Sequence, residues 1–180
     1  FFNSTYDKIG LASFSSSANL RKGLTSTYSD LTSSMDAINN PAGGTNSAHG
    51  IAVGRQILDG AGKRDNAVRV LVFLTDGRAN SYCGSTYNAS NYNGTSCPSS
   101  GGGNDGNSSA VNAAMAEAAR AAADKNIIIY TIGFGPYVDD TFLTNIANTG
   151  HGTYYKAPTL AELQAAFQSV AQSTHIQLTQ

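Results

Sequence analysis

Few residues of this chain have the types and spacing to do chemistry. A Gly-Gly-Thr-Asn run sets Gly44, Thr45 and Asn46 at the entrance of an amphipathic segment, and Leu74-Thr75-Asp76-Gly77 puts a carboxylate directly after the most apolar stretch. A hydroxyl and a carboxylate are hard oxygen donors of the kind that Mg²⁺, Mn²⁺ or Ca²⁺ takes. Gly77 allows a sharp turn or the close approach of another group. Singly, Thr45 is an ordinary helix cap and Asp76 an ordinary turn former, and two donors do not complete a cation's shell. Cys83 and Cys97 lie in one Ser/Asn/Gly/Tyr-rich stretch. With no histidine beside them they read as a disulfide in preference to free thiols or zinc ligands. Closing a loop of that length removes about 3 kcal/mol of denatured-state entropy in the chain-entropy model, and such a bond belongs to an oxidising compartment. Tyr82, Tyr87 and Tyr92 in the same stretch form either an adaptable contact surface or part of a solvated, disulfide-pinned loop.

Other chemistries find little support. His49, His151 and His175 have no Gly-x-Ser-x-Gly elbow to serve, so the chain reads as a binding or structural protein, not an enzyme. Residues 101–106 match Gly-x-Gly-x-x-Gly but follow a loop where a phosphate cradle needs a strand. A calcium loop there would stand alone, without the repeats that build a β-roll. Asn3, Asn88, Asn93 and Asn107 open N-glycosylation patterns that chance explains in so Asn- and Ser-rich a chain. Eleven basic against twelve acidic residues give a net charge of -1, which excludes the basic footprint of a nucleic-acid-binding domain. The longest apolar runs fall well short of the roughly 20 residues that span a bilayer.

The elements that must position these residues follow from periodicity. Residues 8–14 alternate as an off-centre strand with one more exposed face. Residues 29–38 carry Leu31, Met35 and Ile38 on one helical face, stopped by Asn39-Asn40-Pro41. Residues 47–58 form a second helix capped by Thr45 or Asn46. Residues 68–75 and 127–134 are almost continuously β-branched, as strands buried on both faces of a parallel sheet are, and the Ala-rich residues 110–125 between them favour helix. A helix over 140–148 closed by Gly150 and a short strand over 152–155 follow. The last helix opens with the capping box Thr159 to Glu162, with Leu160, Leu163, Phe167 and Val170 as its buried stripe. At 180 residues this is one α/β domain, residues 1–180, with an open sheet. Residues 81–109 interrupt a strand-to-helix crossover as a loop insertion without periodicity of its own.

Taken together and in order, the Asp-Lys-Ile-Gly-Leu-Ala-Ser-Phe strand, the Asn-Pro-Ala-Gly-Gly-Thr-Asn loop, the Leu-Val-Phe-Leu-Thr-Asp-Gly strand end and the Ile-Ile-Ile-Tyr-Thr-Ile-Gly-Phe-Gly strand resemble the von Willebrand factor type A (vWA) domain from Tyr6 to about Ala171. The resemblance implies a Rossmann-like fold, a mostly parallel central sheet flanked by helices, with a metal-ion-dependent adhesion site at its top. Thr45 and Asp76 match two of that site's ligands, with Gly44, Asn46 and Gly77 as loop support. The metal would be Mg²⁺, or Mn²⁺ or Ca²⁺, and an acidic residue of a protein partner would complete its shell. Binding at an extracellular or cell surface is the implied activity, and a subunit of a surface filament or homo-oligomer with a vestigial site is the alternative. The family's Asp-x-Ser-x-Ser strand and most of its first helix have no counterpart upstream of Tyr6, where Phe1-Phe2-Asn3 looks like the end of that helix. The resemblance therefore predicts a sheet split at the position of the absent strand, with unpaired edges. It also predicts a parent sequence that continues upstream, with donation of the strand by another chain as the alternative. The ending from Thr174 to Gln180 looks like that of bacterial pilus-associated type A domains of the tight-adherence kind.

Overall fold

In the computed structural model, residues 5–38, 43–84, 87–92, 97, 100–102 and 106–177 are described, those of 100–102 and 175–177 by backbone alone. In chain order the elements are β1 (Ile9–Phe14), β2 (Ala18–Thr25), α1 (Tyr28–Asp36), α2 (Ser47–Asp59), β3 (Arg69–Thr75), β4 (Ser81–Cys83), a 3-10 turn (Ala89–Tyr92), β5 (Ser100–Gly102), α3 (Ser108–Lys125), β6 (Ile127–Phe134), α4 (Asp140–Thr149), β7 (His151–Ala157) and α5 (Leu160–Gln177). The chain-end reading of Phe1-Phe2-Asn3, the stop at Asn39-Asn40-Pro41, the middle of the glycine run, the patterns at Asn3 and Asn93, the last three residues and the side chain of His175 lie outside the described residues.

The two β-branched runs pair as expected. β3, β6 and β7 form a parallel sheet in that order, with Leu71 opposite Ile129 and Phe73 opposite Thr131. Successive side chains of a strand face opposite ways. Leu71, Phe73 and Ile129 therefore join the main core under α2, α3 and α4, while Val72 and Ile132 join Leu163, Ala166 and Ala157 under α5. In α3, Ala110, Ala113, Ala114, Ala118 and Ala121 are fully buried, and these small side chains let α3 lie close to α2. The helix stops at Asn126 in the left-handed conformation, φ 51°, a conformation asparagine tolerates at helix ends.

The strand β2 had no signal in the pattern of apolar residues. It pairs antiparallel with β1 through a tight turn, Phe14 opposite Ala18. This hairpin packs Ala12, Phe14, Ala18 and Leu24 against Val53 and Ile57 of α2. Among the described residues no strand pairs with β1 on its other side or with β3 on the edge away from β6. The expected division of the sheet is therefore present, and α2 spans it: the ring of Phe14 lies against Gly50, and Leu71 against Gly54. Phe14 and Phe73 also stack across the division, with ring centroids 5.0 Å apart.

This arrangement corrects three expectations. β3 is not buried on both faces: most of its residues are half-buried and Leu74 is 37% exposed, because one flank has no neighbour. Met35 is exposed and α1 buries no residue completely, so its apolar face only rests on the hairpin. In α5 the capping box forms, with Thr159 N–H donating to Glu162 at 3.0 Å and Glu162 N–H to Thr159 Oγ1 at 3.4 Å. Leu160 and Phe167, however, are 69% and 44% exposed. Of that stripe Val170 is buried and Leu163 half-buried, and Ala166 is buried with them, since α5 lies mainly over β7 and β6.

A methyl group at Gly152 would collide with the Ile129 carbonyl in the neighbouring strand, whereas one at Gly23 meets nothing within 4 Å. Gly152→Ala is expected to lower stability by about 1–3 kcal/mol, the usual cost of overpacking, and Gly23→Ala to be neutral or mildly stabilising. Urea unfolding followed by circular dichroism checks both.

Candidate functional site

Parallel strands end together, and the loops beyond their carboxyl ends are where open α/β sheets gather ligands. Asp76 follows β3 at that end and is exposed. Thr75 behind it is buried, and its Oγ1 accepts the Gly77 N–H at 3.3 Å, which folds the turn back. The fold brings Gly77 against the other candidate: a Cβ at Gly77 would stand 3.0 Å from Thr45 Oγ1. The Thr45 hydroxyl and the Asp76-Gly77 turn therefore share one corner. Asp76 makes no hydrogen bond or ion pair among the described residues, so its carboxylate is not committed within the fold.

A dense set of backbone bonds fixes this corner. Thr45 N–H donates to Asn80 Oδ1 at 2.6 Å, and its carbonyl accepts the Asn80 and Ser81 N–H groups at 3.1 and 3.3 Å. Gly44 N–H donates to Ser16 Oγ at 2.8 Å, and a side chain at Gly44 would meet Ser81 and Asn80, so the close approach requires glycine. Asn46, fully buried, is the N-cap of α2. Its Oδ1 accepts the His49 N–H at 3.0 Å, its Nδ2 donates to Ser16 O at 3.1 Å, and its backbone N–H donates to Ser15 O at 2.7 Å. Of the two cap candidates the chain uses Asn46, which leaves the Thr45 side chain to face Gly77. Asn80 was not singled out from sequence, because it stands in a polar loop where no periodicity marks it.

The donors of this corner fit a hard divalent cation in kind and fall short of one in number. Thr45 and Asp76 supply two oxygens, whereas such ions take about six. His49, Cys83 and Cys97 place their ligand atoms within 4.8 Å of one another, but they do not fit a metal in this state. The two sulfurs are bonded to each other, and His49 Nδ1 accepts the Ala18 N–H at 2.8 Å.

The inserted segment is anchored from within. Cys83 and Cys97 form the expected disulfide, Cα atoms 5.3 Å apart, and the segment contains the short pair β4 and β5 and the 3-10 turn. Tyr92 is fully buried: its hydroxyl accepts the Cys83 N–H at 2.8 Å, and its carbonyl accepts from Gln56 at 2.8 Å and from Arg55 at 3.3 Å. Tyr92 is thus no partner contact, a correction that follows from its place inside the core. Tyr82 and Tyr87 are half-buried, and Tyr87 donates to Glu117 at 3.0 Å. Burial and the Glu117 carboxylate push the Tyr87 hydroxyl up to about 12. Glu117, fully buried in α3, also binds Arg120 at 2.6 Å and Arg55 at 3.4 Å. Periodicity held the clue to it: Glu117 falls on the stripe of buried alanines, where an acid needs partners. Asn107, an N-glycosylation candidate, caps α3 through the Ser109 and Ala110 N–H groups.

An open sheet, parallel in its β3, β6 and β7 part, flanked by helices and carrying a hydroxyl and carboxylate at its loop end, defines a Rossmann-like α/β domain. Residues 1–78 match the family model of the von Willebrand factor type A domain, and the similar solved structures carry the same fold. They include a mutant of the PilB minor pilin from Streptococcus sanguinis, 18% identical with a TM-score of 0.68, for which 92% of this chain covers 48% of that one. The vWF domain of the type V pili tip protein Mfa5 from Porphyromonas gingivalis is 19% identical with a TM-score of 0.65, covering 94% of this chain and 80% of that one. Proximal thread matrix protein 1 from the mussel byssus, with a zinc-occupied MIDAS motif, is 17% identical with a TM-score of 0.60, covering 91% of this chain and 33% of that one. No curated protein matches the sequence. The resemblance read from the sequence is thus met by a family match and by the fold: this is a type A domain fold.

Removing the carboxylate from the buried network leaves Arg55 uncompensated, so Glu117→Ala is expected to cost about 3–5 kcal/mol and to expose the inserted segment to limited proteolysis. A chain as stable and as resistant as the parent would contradict this. The raised Tyr87 group has a second consequence. An unfolded tyrosine ionises near 10.0 and the folded one near 12, so its contribution is intact below pH 10 and is lost as pH rises through 12. Tyr87→Phe is expected to flatten the alkaline limb of a stability profile measured by urea midpoints.

Proposed function

We propose that this chain is a protein-binding module of the surface-adhesin or pilus kind, acting through the corner where Thr45 and Asp76 meet. The observation that carries the reading is the approach of the Thr45 hydroxyl to the Asp76-Gly77 turn on an exposed loop end. Bound there, a divalent cation, Mg²⁺ in the first instance and Mn²⁺ or Ca²⁺ otherwise, would supply a positive charge bridging the corner to an acidic group of the partner. Asp76 brings the neutralising charge and Thr45 a neutral donor, and the bonds from Asn80 and Ser16 and the Asn46 cap fix the backbone that carries Thr45 before anything binds. Water and the partner would supply further oxygens. The zinc-occupied MIDAS motif of the byssus protein supports this reading by likeness of fold.

The reading places the chain at an extracellular or cell surface, as one domain without enzymatic activity. His49 supports the last point, since its Nδ1 is engaged by a backbone amide. No described helix is long and apolar enough to cross a membrane. A second reading, a structural subunit of a filament or pilus-associated assembly, is favoured by the likeness to a minor pilin and by the shortage of oxygen donors at the corner.

Paramagnetic Mn²⁺ titrated into the isotope-labelled chain separates the two. The adhesive reading expects broadening centred on the amides of Thr45, Asp76 and Gly77, abolished by Asp76→Ala with the spectrum otherwise dispersed as before. Broadening scattered over the surface carboxylates and unaltered by Asp76→Ala would sink the cation's role and leave the structural reading.

A further inference from the structure

The two cysteines of the disulfide differ in burial. Cys83 is fully buried, while Cys97 is half-buried. A thiolate that breaks a disulfide attacks one sulfur and expels the other as a thiolate, and it leaves faster the lower the pKa of the expelled thiol. Access directs attack to Cys97, so the group expelled is Cys83. Cys83 belongs to the apolar core, so the polar groups beside its sulfur are what would hold a thiolate there. Asn46 Nδ2 lies 3.5 Å from Cys83 Sγ and 3.8 Å from Cys97 Sγ, as a donor to both. Asn46 is itself the N-cap of the 13-residue helix α2, and the ring of His49, two residues into that helix, belongs to the same group of atoms within 4.8 Å. A helix N-terminus is a setting in which cysteine thiolates are stabilised.

We propose that the Cys83–Cys97 bridge is a thiol–disulfide exchange site whose substrate is an external dithiol, and that its redox state governs the Thr45 corner. One thiolate of the dithiol bonds to Cys97 Sγ as the Cys83–Cys97 bond breaks, and Cys83 leaves as a thiolate beside the Asn46 amide at the N-terminus of α2. The second thiol of the reductant then attacks the mixed disulfide at its own partner sulfur. This releases Cys97 and yields the oxidised, cyclic or bridged reductant. Two electrons pass from dithiol to bridge, and the two protons of the dithiol end on the cysteines. The consequence runs through Asn46, the residue next to Thr45, because the side chain that contacts both sulfurs also caps α2 and bonds Ser16 O. With the bridge opened, the Asn46 side chain loses its contact with the bonded pair of sulfurs. This inference does not depend on the cation reading.

Glutathione, which forms mixed disulfides without closing a ring, locates the attack. The native chain is treated with reduced glutathione, quenched by acid, alkylated and mapped by mass spectrometry. The proposal expects the glutathione adduct on Cys97 and the alkyl group on Cys83. Adduct on Cys83, or reduction only under denaturing conditions, would overturn it. Asn46→Asp keeps a capping oxygen but replaces the amide donor with a negative charge, and is expected to slow reduction by dithiothreitol about tenfold through the poorer leaving group. An equal or faster rate in a variant with an unchanged urea midpoint would count against the proposal. In the parent chain, dithiothreitol is expected to shift the amide signals of Thr45, Asn46 and Asn80. If those signals stay in place while the thiols titrate, control of the corner is refuted.

Discussion

Helix α2 is the shared support of two sheets that no backbone hydrogen bond joins among the described residues. The β1–β2 hairpin and the β3–β6–β7 sheet each have a flank without a strand, and both rest on this helix, through Val53 and Ile57 on one side and Gly54 on the other. Its glycines explain why the contact is so close. Gly50 receives the Phe14 ring and Gly54 the Leu71 side chain, and the Phe14–Phe73 stack spans the division over the same helix. Glycine inside a helix costs about 1 kcal/mol against alanine, and here the return is the approach of strands from both sheets to one helix.

The corner inherits its order from that support. The N-terminus of α2 lies at the loop end of both sheets, so Asn46 can reach Ser15 and Ser16 after β1 and the disulfide after β4 at once. Thr45, one residue earlier, is held by Asn80 from the β3 side. A set of backbone and side-chain bonds thus converges on two consecutive residues, which leaves the Thr45 hydroxyl against Gly77 and the Asp76 carboxylate exposed beside it. Behind them, Glu117, Arg55, Arg120 and Tyr87 tie the inserted segment to α2 and α3. A fully buried carboxylate with three partners is costly to leave unpaired, which makes the segment part of the core and not a loose appendage.

Much of this was legible in the sequence, and what was not has physical reasons. The β-branched runs of β3 and β6, the alanine helix between them and the capping box of α5 are local, strongly periodic signals, and they fold as they read. Thr45 and Asp76 could be paired only because their order along the chain resembles a known family; no local rule connects a hydroxyl at 45 to a carboxylate at 76. β2 escaped notice because Ala18–Thr25 mixes lysine, arginine, glycine and threonine with few apolar residues, as a strand with only one face covered can. The half-burial of β3 was hidden for the opposite reason, since composition tells how apolar a strand is and not how many neighbours it has. Tyr92 looked like surface because its neighbours are polar, yet its polar groups are satisfied inside the core by Cys83, Gln56 and Arg55.

The account depends most on the unpaired flanks of β1 and β3, and residue-resolved amide hydrogen exchange tests them directly. It predicts two alternating classes of amide along β3, one protected through β6 and the other exchanging orders of magnitude faster, with the same alternation in β1 and uniform protection along β6. Uniform protection of β1 and β3 would contradict it, because every amide would then have a partner that this arrangement does not contain.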